Sequence, residues 1–298
     1  MMKQWWRHIE QWQYALPIQP VSELFIRSMY GVLLWSTIKL STMGEVIWGS
    51  DSIHQLYDPY TNIDRFAMLL NNEAIRPYWW VFVGLFAVLL LLGVFDKHNF
   101  ITRTLVAYLF VVLHYGNVEI STGGHHLTQQ LLFFHILLFR VDEHNESQWA
   151  ALRRFIHHSS FYAIWLQIGI MYLVAGYWKV LGTTWPDGTA MLLTLSYKEF
   201  GFPWIADSLK ENNTLLWISN HIVFAYQLLF IVLIWIKSIR PYFLSIGLIF
   251  HLSIAFIVGI TDFGLLMVAS YAIFVAPGTA KKVLGGSLKS QVVGLNRN

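Results

Sequence analysis

The chain of 298 residues is 56% hydrophobic and only 12% charged, with a formal net charge of +3 and a mean hydropathy of +0.49. Roughly a quarter of the residues of a soluble domain are charged, so this composition lacks the polar surface that solvates a globule and indicates an integral membrane protein. Having no cysteine excludes thiol nucleophiles, CxxC redox motifs, iron–sulfur clusters, Cys-ligated zinc and disulfide scaffolds, and the basic balance reads as cytoplasmic-side Lys and Arg with no nucleic-acid partner.

Residues 1–20 interleave Trp5, Trp6, Trp12 and Tyr14 with Lys3, Arg7 and Glu10, a pattern that predicts an interfacial helix at the lipid headgroups. The first apolar run, from Leu24, contains Arg27 and no small-residue cleavage pattern follows it, so it reads as a span and not as a cleaved signal. At about 20 residues per crossing, eight spans are predicted, at 24–43, 78–95, 101–120, 127–140, 160–180, 217–237, 241–259 and 263–277. The fourth and eighth are short and are expected to lie buried within the bundle. The longest connections, 44–77 and 181–216, carry Asp58, Pro59, Tyr60, Trp185, Pro186, Asp187, Gly188, Pro203 and Trp204, and are expected to cap the outer side. Residues 278–298 read as a mobile basic cytoplasmic tail.

With the N-terminus inside, thirteen of the twenty Lys and Arg residues fall in cytoplasmic segments and five in the opposite loops. The expected architecture is therefore all-α: one polytopic bundle over residues 21–277, about eight spans, both termini cytoplasmic, in the inner (plasma) membrane.

Ionisable groups in or beside spans are costly to bury and so are functional candidates. They are Arg27, Lys39, His114, Glu119, His125, His126, His135, Lys179, His221, His251 and Asp262, of which Lys39, Glu119, His125, His126, Lys179 and Asp262 map to the outer ends of their spans. The segment Ile120-Ser-Thr-Gly-Gly-His-His126 joins spans three and four, where paired glycines allow a tight turn and close approach to a ligand. On a helix, Tyr172, Gly176 and Lys179 share one face, with the amine above a glycine notch. A lysine held in an apolar pocket loses solvation of its cation and can serve as a neutral base; the alternative is a lysine snorkelling to the headgroups. Di-iron desaturase chemistry fails on histidine spacing, because only the adjacent pairs His125-His126 and His157-His158 occur. A bis-histidine haem would need His114, His221 or His251 as ligands, and isolated buried histidines are more often structural. The His157-His158 pair is expected on a headgroup-contacting face of a basic loop.

The stretch Tyr172-Leu-Val-Ala-Gly-Tyr-Trp-Lys179, followed by Trp185-Pro-Asp-Gly188-Thr-Ala, resembles the signature of the vitamin K-dependent gamma-carboxylase-like, or horizontally transferred transmembrane (HTTM), domain. Arg27 with Gly31, Ser121 to Leu127 with the following Leu-Phe-Phe, and Phe250-His-Leu before Phe263-Gly264 agree in order, so that the resemblance covers roughly residues 24–276. It implies a reduced vitamin K-like quinone as cofactor, Lys179 as the base that deprotonates it, and His125 at the same site. His126, His251, Tyr172, Gly176 and Trp185 are then expected to contact the substrate. No metal is expected. The implied reaction is oxygen-dependent epoxidation, with or without carboxylation of a peptide glutamate. In length the chain resembles the family's short bacterial members without the large extracytoplasmic domain, some of which resemble the membrane component that matures a sporulation-delaying peptide toxin.

Three functions therefore stay open: a quinol-using membrane enzyme; an accessory protein for maturation, export or immunity of a secreted peptide; and a transporter with ligands near the midplane, at His114 and His251. The expected partners are the bilayer and a secreted peptide.

Overall fold

The computed structural model describes residues 18–50, 52, 67, 69–115, 120–140, 147–196 and 203–285. The interfacial helix expected before Ile18, Glu119, the Asp58-Pro59-Tyr60 stretch and the tail beyond Gly285 lie outside the described residues. Within them the protein is all-helical, without a strand. The helices are α1 (Gln19–Ser41), α2 (Gly44–Trp48), α3 (Trp79–Val94), α4 (Phe100–His114), α5 (Gly123–His135), α6 (Gln148–Leu181), α7 (Ala190–Ser196), α8 (Pro203–Lys210), α9 (Asn213–Leu233), α10 (Arg240–Ser253), α11 (Thr261–Ser270) and α12 (Pro277–Val283).

Each of the eight expected segments overlaps a helix, and among the described residues four helical stretches are both long and apolar enough to cross a membrane: Arg76–Val94, Gln148–Leu181, Asn213–Leu233 and Arg240–Val258. A fifth is available if Thr261–Phe274 and Pro277–Val283, bent by 119°, count as one broken span. The remaining segments fall short for identifiable reasons. Helix α1 has 23 residues, but Glu23, Arg27 and Lys39 dilute its hydropathy, and α4 has only 15 residues. Helix α3 is apolar on every side and leaves Trp80, Val81, Leu85, Val88 and Leu91 each at least 44% exposed. Such a surface is at home in lipid and not in water.

The described residues form two compact units. The first contains α1–α4, the second half of α5, the first half of α6 and residues from Ser270 onward. There α1 packs on α3, on the 3-10 turn Tyr271–Phe274 and on α12. Helix α4 starts at a reciprocal cap: the Thr102 amide donates to Asn99 Oδ1 (3.0 Å) and the Asn99 amide donates to Thr102 Oγ1 (2.7 Å). A polar network runs through this unit. Glu23 accepts from His98 Nε2 (3.0 Å) and pairs with Arg140 Nε (3.4 Å), while Asp96 pairs with Arg27 (3.3 Å) and Arg140. Arg103 donates to the carbonyls of His135 and Leu138, which caps the end of α5, and Tyr30 Oη lies 2.8 Å from His135 Nε2.

This network corrects the expectation for His157 and His158. Both lie inside α6 and are buried, and His157 reaches Ser22 Oγ (3.2 Å) and the Phe139 carbonyl (2.6 Å). The helix begins at Gln148 because these polar groups find partners in the protein, so they do not face headgroups.

The second unit contains residues 122–128 and 165–269. Helix α6 packs on α9 through Gly169 and Gly176, where an added Cβ would meet Ile231 at 3.1 Å and Leu228 at 2.8 Å. Helix α10 runs into a π-helical turn, Ile254–Val258, that stops at Gly259 in the left-handed region (φ +86°) and lets α11 return. Gly264 then lies against α10: an added Cβ would sit 2.5 Å from the His251 carbonyl. Arg240 Nε donates to the Ile234 carbonyl (2.8 Å) at the end of α9, and its guanidinium lies over Trp165.

Candidate functional site

The second unit holds a half-open cavity of about 530 Å³. Its wall comes from α5 (Gly123, with Thr122 just before it), α6 (Lys179), the turn at Trp185, α7, α8, α9, the α10 end with its π turn, and Phe263. Most of the lining is aliphatic or aromatic, and among the described residues Lys179 is the sole ionisable side chain in it. This volume falls within the range of small-molecule sites.

Lys179 gets there because α6 turns one face inward. Tyr172 and Gly176 are buried and Lys179 is half-buried, while Leu173, Val174, Tyr177, Trp178 and Val180 are exposed. The amine sits 4.8 Å from the Trp185 ring centroid and 3.5 Å from the Ala175 carbonyl of its own helix. No carboxylate pairs with it among the described residues. An indole face attracts a cation but also packs against a neutral amine, so this seat leaves either protonation state possible.

Trp185 is positioned by its own turn. The Gly188 amide donates to the Trp185 carbonyl (3.2 Å), and Asn220 Nδ2, fully buried on α9, donates to the same oxygen (2.5 Å). Gly188 has φ +79°, and an added Cβ would strike Trp217 at 2.3 Å, so the Trp-Pro-Asp-Gly sequence is needed both for the turn and for the contact.

The other expected site residues divide by position. His125 is buried at the start of α5 and does not line the cavity; its Nδ1 accepts from the Thr122 amide (3.1 Å) and lies 3.0 Å from Thr122 Oγ1. That bond leaves Nε2 to carry the proton of a neutral ring. His125 therefore fixes Thr122, which is on the wall. His126 is exposed and off the cavity. His251 is buried behind the wall, bonded to Tyr172 Oη and flanked by Phe250 and Phe263, which do line the cavity. Tyr172 stacks on Phe230 with centroids 4.2 Å apart.

Two glycine expectations change in the structure. In place of the expected tight turn, Gly123 and Gly124 form the first turn of α5; Gly123 lines the cavity, and Gly124 gives close passage to Phe263, whose Cα would lie 3.1 Å from an added Cβ. The notch at Gly176 holds Leu228 and not the lysine amine. In both cases glycine serves helix–helix approach.

The histidines considered as haem ligands are accounted for locally. His114 stacks on Phe110 and bonds its carbonyl (3.0 Å), and His221 lies on Trp217 and bonds its carbonyl (2.9 Å). Lys39 lies 5.3 Å from the Trp35 ring, and Asp262 sits in the first turn of α11. In the first unit, Glu23, Asp96 and His98 bring ligand atoms within 4.8 Å of one another, the spacing of a metal site, but Arg27 and Arg140 already neutralise both carboxylates. The donor set suits an ion-pair network better than a divalent cation. Sequence reasoning missed this network and also Gln227 and Ser219 on the cavity wall. The available signal for the latter was a pair of polar residues at i and i+8, on one face of a mostly apolar helix.

No protein-family model matches the chain, and no curated protein and no solved structure is significantly similar to it.

Proposed function

We propose that the chain is an eight-span membrane protein with both termini cytoplasmic, and that the cavity of its second unit binds a lipophilic quinol. The observation that carries this reading is Lys179: an amine seated on Trp185, in a cavity whose other described lining residues are all neutral. An apolar wall favours an aromatic ring with a hydrocarbon tail, and a ligand seated there would shield the amine from water. In this reading Lys179 takes the proton of a ring hydroxyl as general base, Trp185 packs against the lysine stem, and His125 holds Thr122 at the rim. The bound quinol supplies the reducing equivalents: quinol and dioxygen yield quinone epoxide and water. The resemblance of Tyr172 to Lys179 and of Trp185 to Gly188 to the HTTM domain supports this chemistry, and carboxylation of a peptide glutamate is its further extension.

The test is oxygen uptake by purified protein given reduced naphthoquinone. The wild type is expected to consume oxygen with formation of the epoxide, and Lys179→Ala to lower the rate by about 100-fold or more, the loss expected of a general base. Uptake unchanged in Lys179→Ala, or none in the wild type, removes the enzyme reading and favours an accessory role in peptide maturation or export.

A further inference from the structure

Helices α9 and α10 both cross the bilayer in the topology proposed above, and only residues 234–239 join them, so this connection lies at a membrane surface. Its backbone is tightly coiled. The Ile239 and Arg240 amides both donate to the Ile236 carbonyl (3.1 and 2.9 Å), which sets Lys237 and Arg240 one turn apart. Residues 212–261 contain no Asp or Glu, and neither does α6, which packs on α9. Roughly half a negative charge at the C-terminal end of α9 and half a positive charge at the N-terminal end of α10 offset each other, which leaves about two positive charges on the connection.

Arg240 is held in place and does not simply extend into solvent. Its Nε donates to the Ile234 carbonyl (2.8 Å) and its Nη2 to the Trp235 carbonyl (3.5 Å), while the guanidinium lies 4.5 Å from the Trp165 ring centroid. Trp165 packs in turn on Trp235, with centroids 5.2 Å apart. A guanidinium fixed on an aromatic face is oriented in advance for phosphate oxygens. Lys237 is exposed and, among the described residues, has no ion-pair partner, so it adds a second and more mobile charge.

The surface beside these charges decides which anion fits. Leading away from the connection, α9 exposes Val232 and Leu229, and α10 exposes Tyr242, Ile246 and Ile249. The seam between the two helices is filled from within, where Phe243 stacks on Tyr226 (4.4 Å between centroids) and meets Phe230 (5.8 Å). Acyl chains would cover the exposed side chains, whereas a free phosphate gains nothing from them.

We propose that Lys237 and Arg240 hold the phosphate of an anionic phospholipid, with Trp235 and Tyr242 flanking the headgroup and the acyl chains lying along the exposed faces of α9 and α10. None of these four residues lines the cavity at Lys179, so this site stands apart from the quinol reading.

The experiment is native mass spectrometry of the full chain in neutral detergent, with phosphatidylglycerol and phosphatidylcholine of identical acyl chains as competing probes. The wild type is expected to retain phosphatidylglycerol about 25-fold over phosphatidylcholine, two basic residues each contributing about fivefold. Lys237→Gln is expected to lower that preference about fivefold, and Lys237→Glu to bring it to about one. Lys281→Gln, at an exposed lysine of α12, is expected to leave it unchanged. Equal retention of the two lipids by the wild type overturns the proposal. Equal losses in Lys237→Gln and Lys281→Gln also overturn it, because the preference would then come from diffuse surface charge. Displacement of phosphatidylglycerol by millimolar inorganic phosphate overturns the assignment to a lipid.

Discussion

Lys179 and Gly264 show how much a single position depends on its neighbours. Lys179 could be placed on an inward face from periodicity alone, since Tyr172, Gly176 and Lys179 recur at helical spacing. What periodicity does not supply is the occupant of the notch, which is Leu228, or the indole beneath the amine. Glycines carry the same ambiguity: a glycine signals either a turn or a close approach, and only the partner tells which. Gly264→Ala must push a methyl to 2.5 Å from the His251 carbonyl and 2.8 Å from the Ala255 amide nitrogen, both backbone atoms. It is expected to destabilise the protein by about 1–3 kcal/mol. Gly84→Ala, with nothing within 4 Å, is expected to be neutral or to stabilise by up to about 1 kcal/mol. Unfolding of the two variants in a detergent titration separates them; equal effects would contradict the packing described for α10 and α11.

At the scale of elements, the long apolar helices were legible and the polar ones were not. Hydropathy located α3, α9 and α10 because apolar residues dominate them strongly enough to outweigh the few polar ones, such as Asn220 and Gln227 on α9 and His251 on α10. It started the fifth span at residue 160, whereas α6 begins at Gln148, because Arg154, His157 and His158 are buried among partners that no hydropathy window can see. Helix α1 is the clearest example: Glu23 and Arg27 lower its hydropathy, yet they join it to the α3–α4 connection through His98 and Asp96. Glu23→Gln removes the carboxylate that faces both His98 and Arg140 and leaves Asp96 alone against two arginines. A loss of about 2 kcal/mol in unfolding free energy is expected. No change would show that the network is too solvated to contribute. Gln227 escaped sequence reasoning for the opposite reason: a neutral amide in Tyr-Gln-Leu-Leu-Phe barely alters an apolar window, and its significance appears only beside a cavity.

For the whole molecule, the exposed apolar faces are those of a multi-pass membrane protein, and the proposed orientation rests on the charge bias of the sequence. The natural absence of cysteine makes it directly testable, because any thiol introduced is the only one. Lys97→Cys and Lys281→Cys, at exposed positions assigned to the cytoplasm, are expected to resist a membrane-impermeant maleimide in intact cells. Asp187→Cys, exposed in the Trp185 turn, is expected to react. Labelling of all three from one side would break the eight-span topology. The central claim, however, is that the cavity beside Lys179 is where a ring-bearing lipophile binds, and photo-crosslinking with an azido-naphthol in nanodiscs, read by peptide mass spectrometry, tests it most directly. The account predicts adducts on lining residues such as Met191, Val223 and Phe263, suppressed by excess 1,4-dihydroxynaphthalene. Adducts spread over the exposed faces of α3 and α6, with no suppression by the diol, would contradict it.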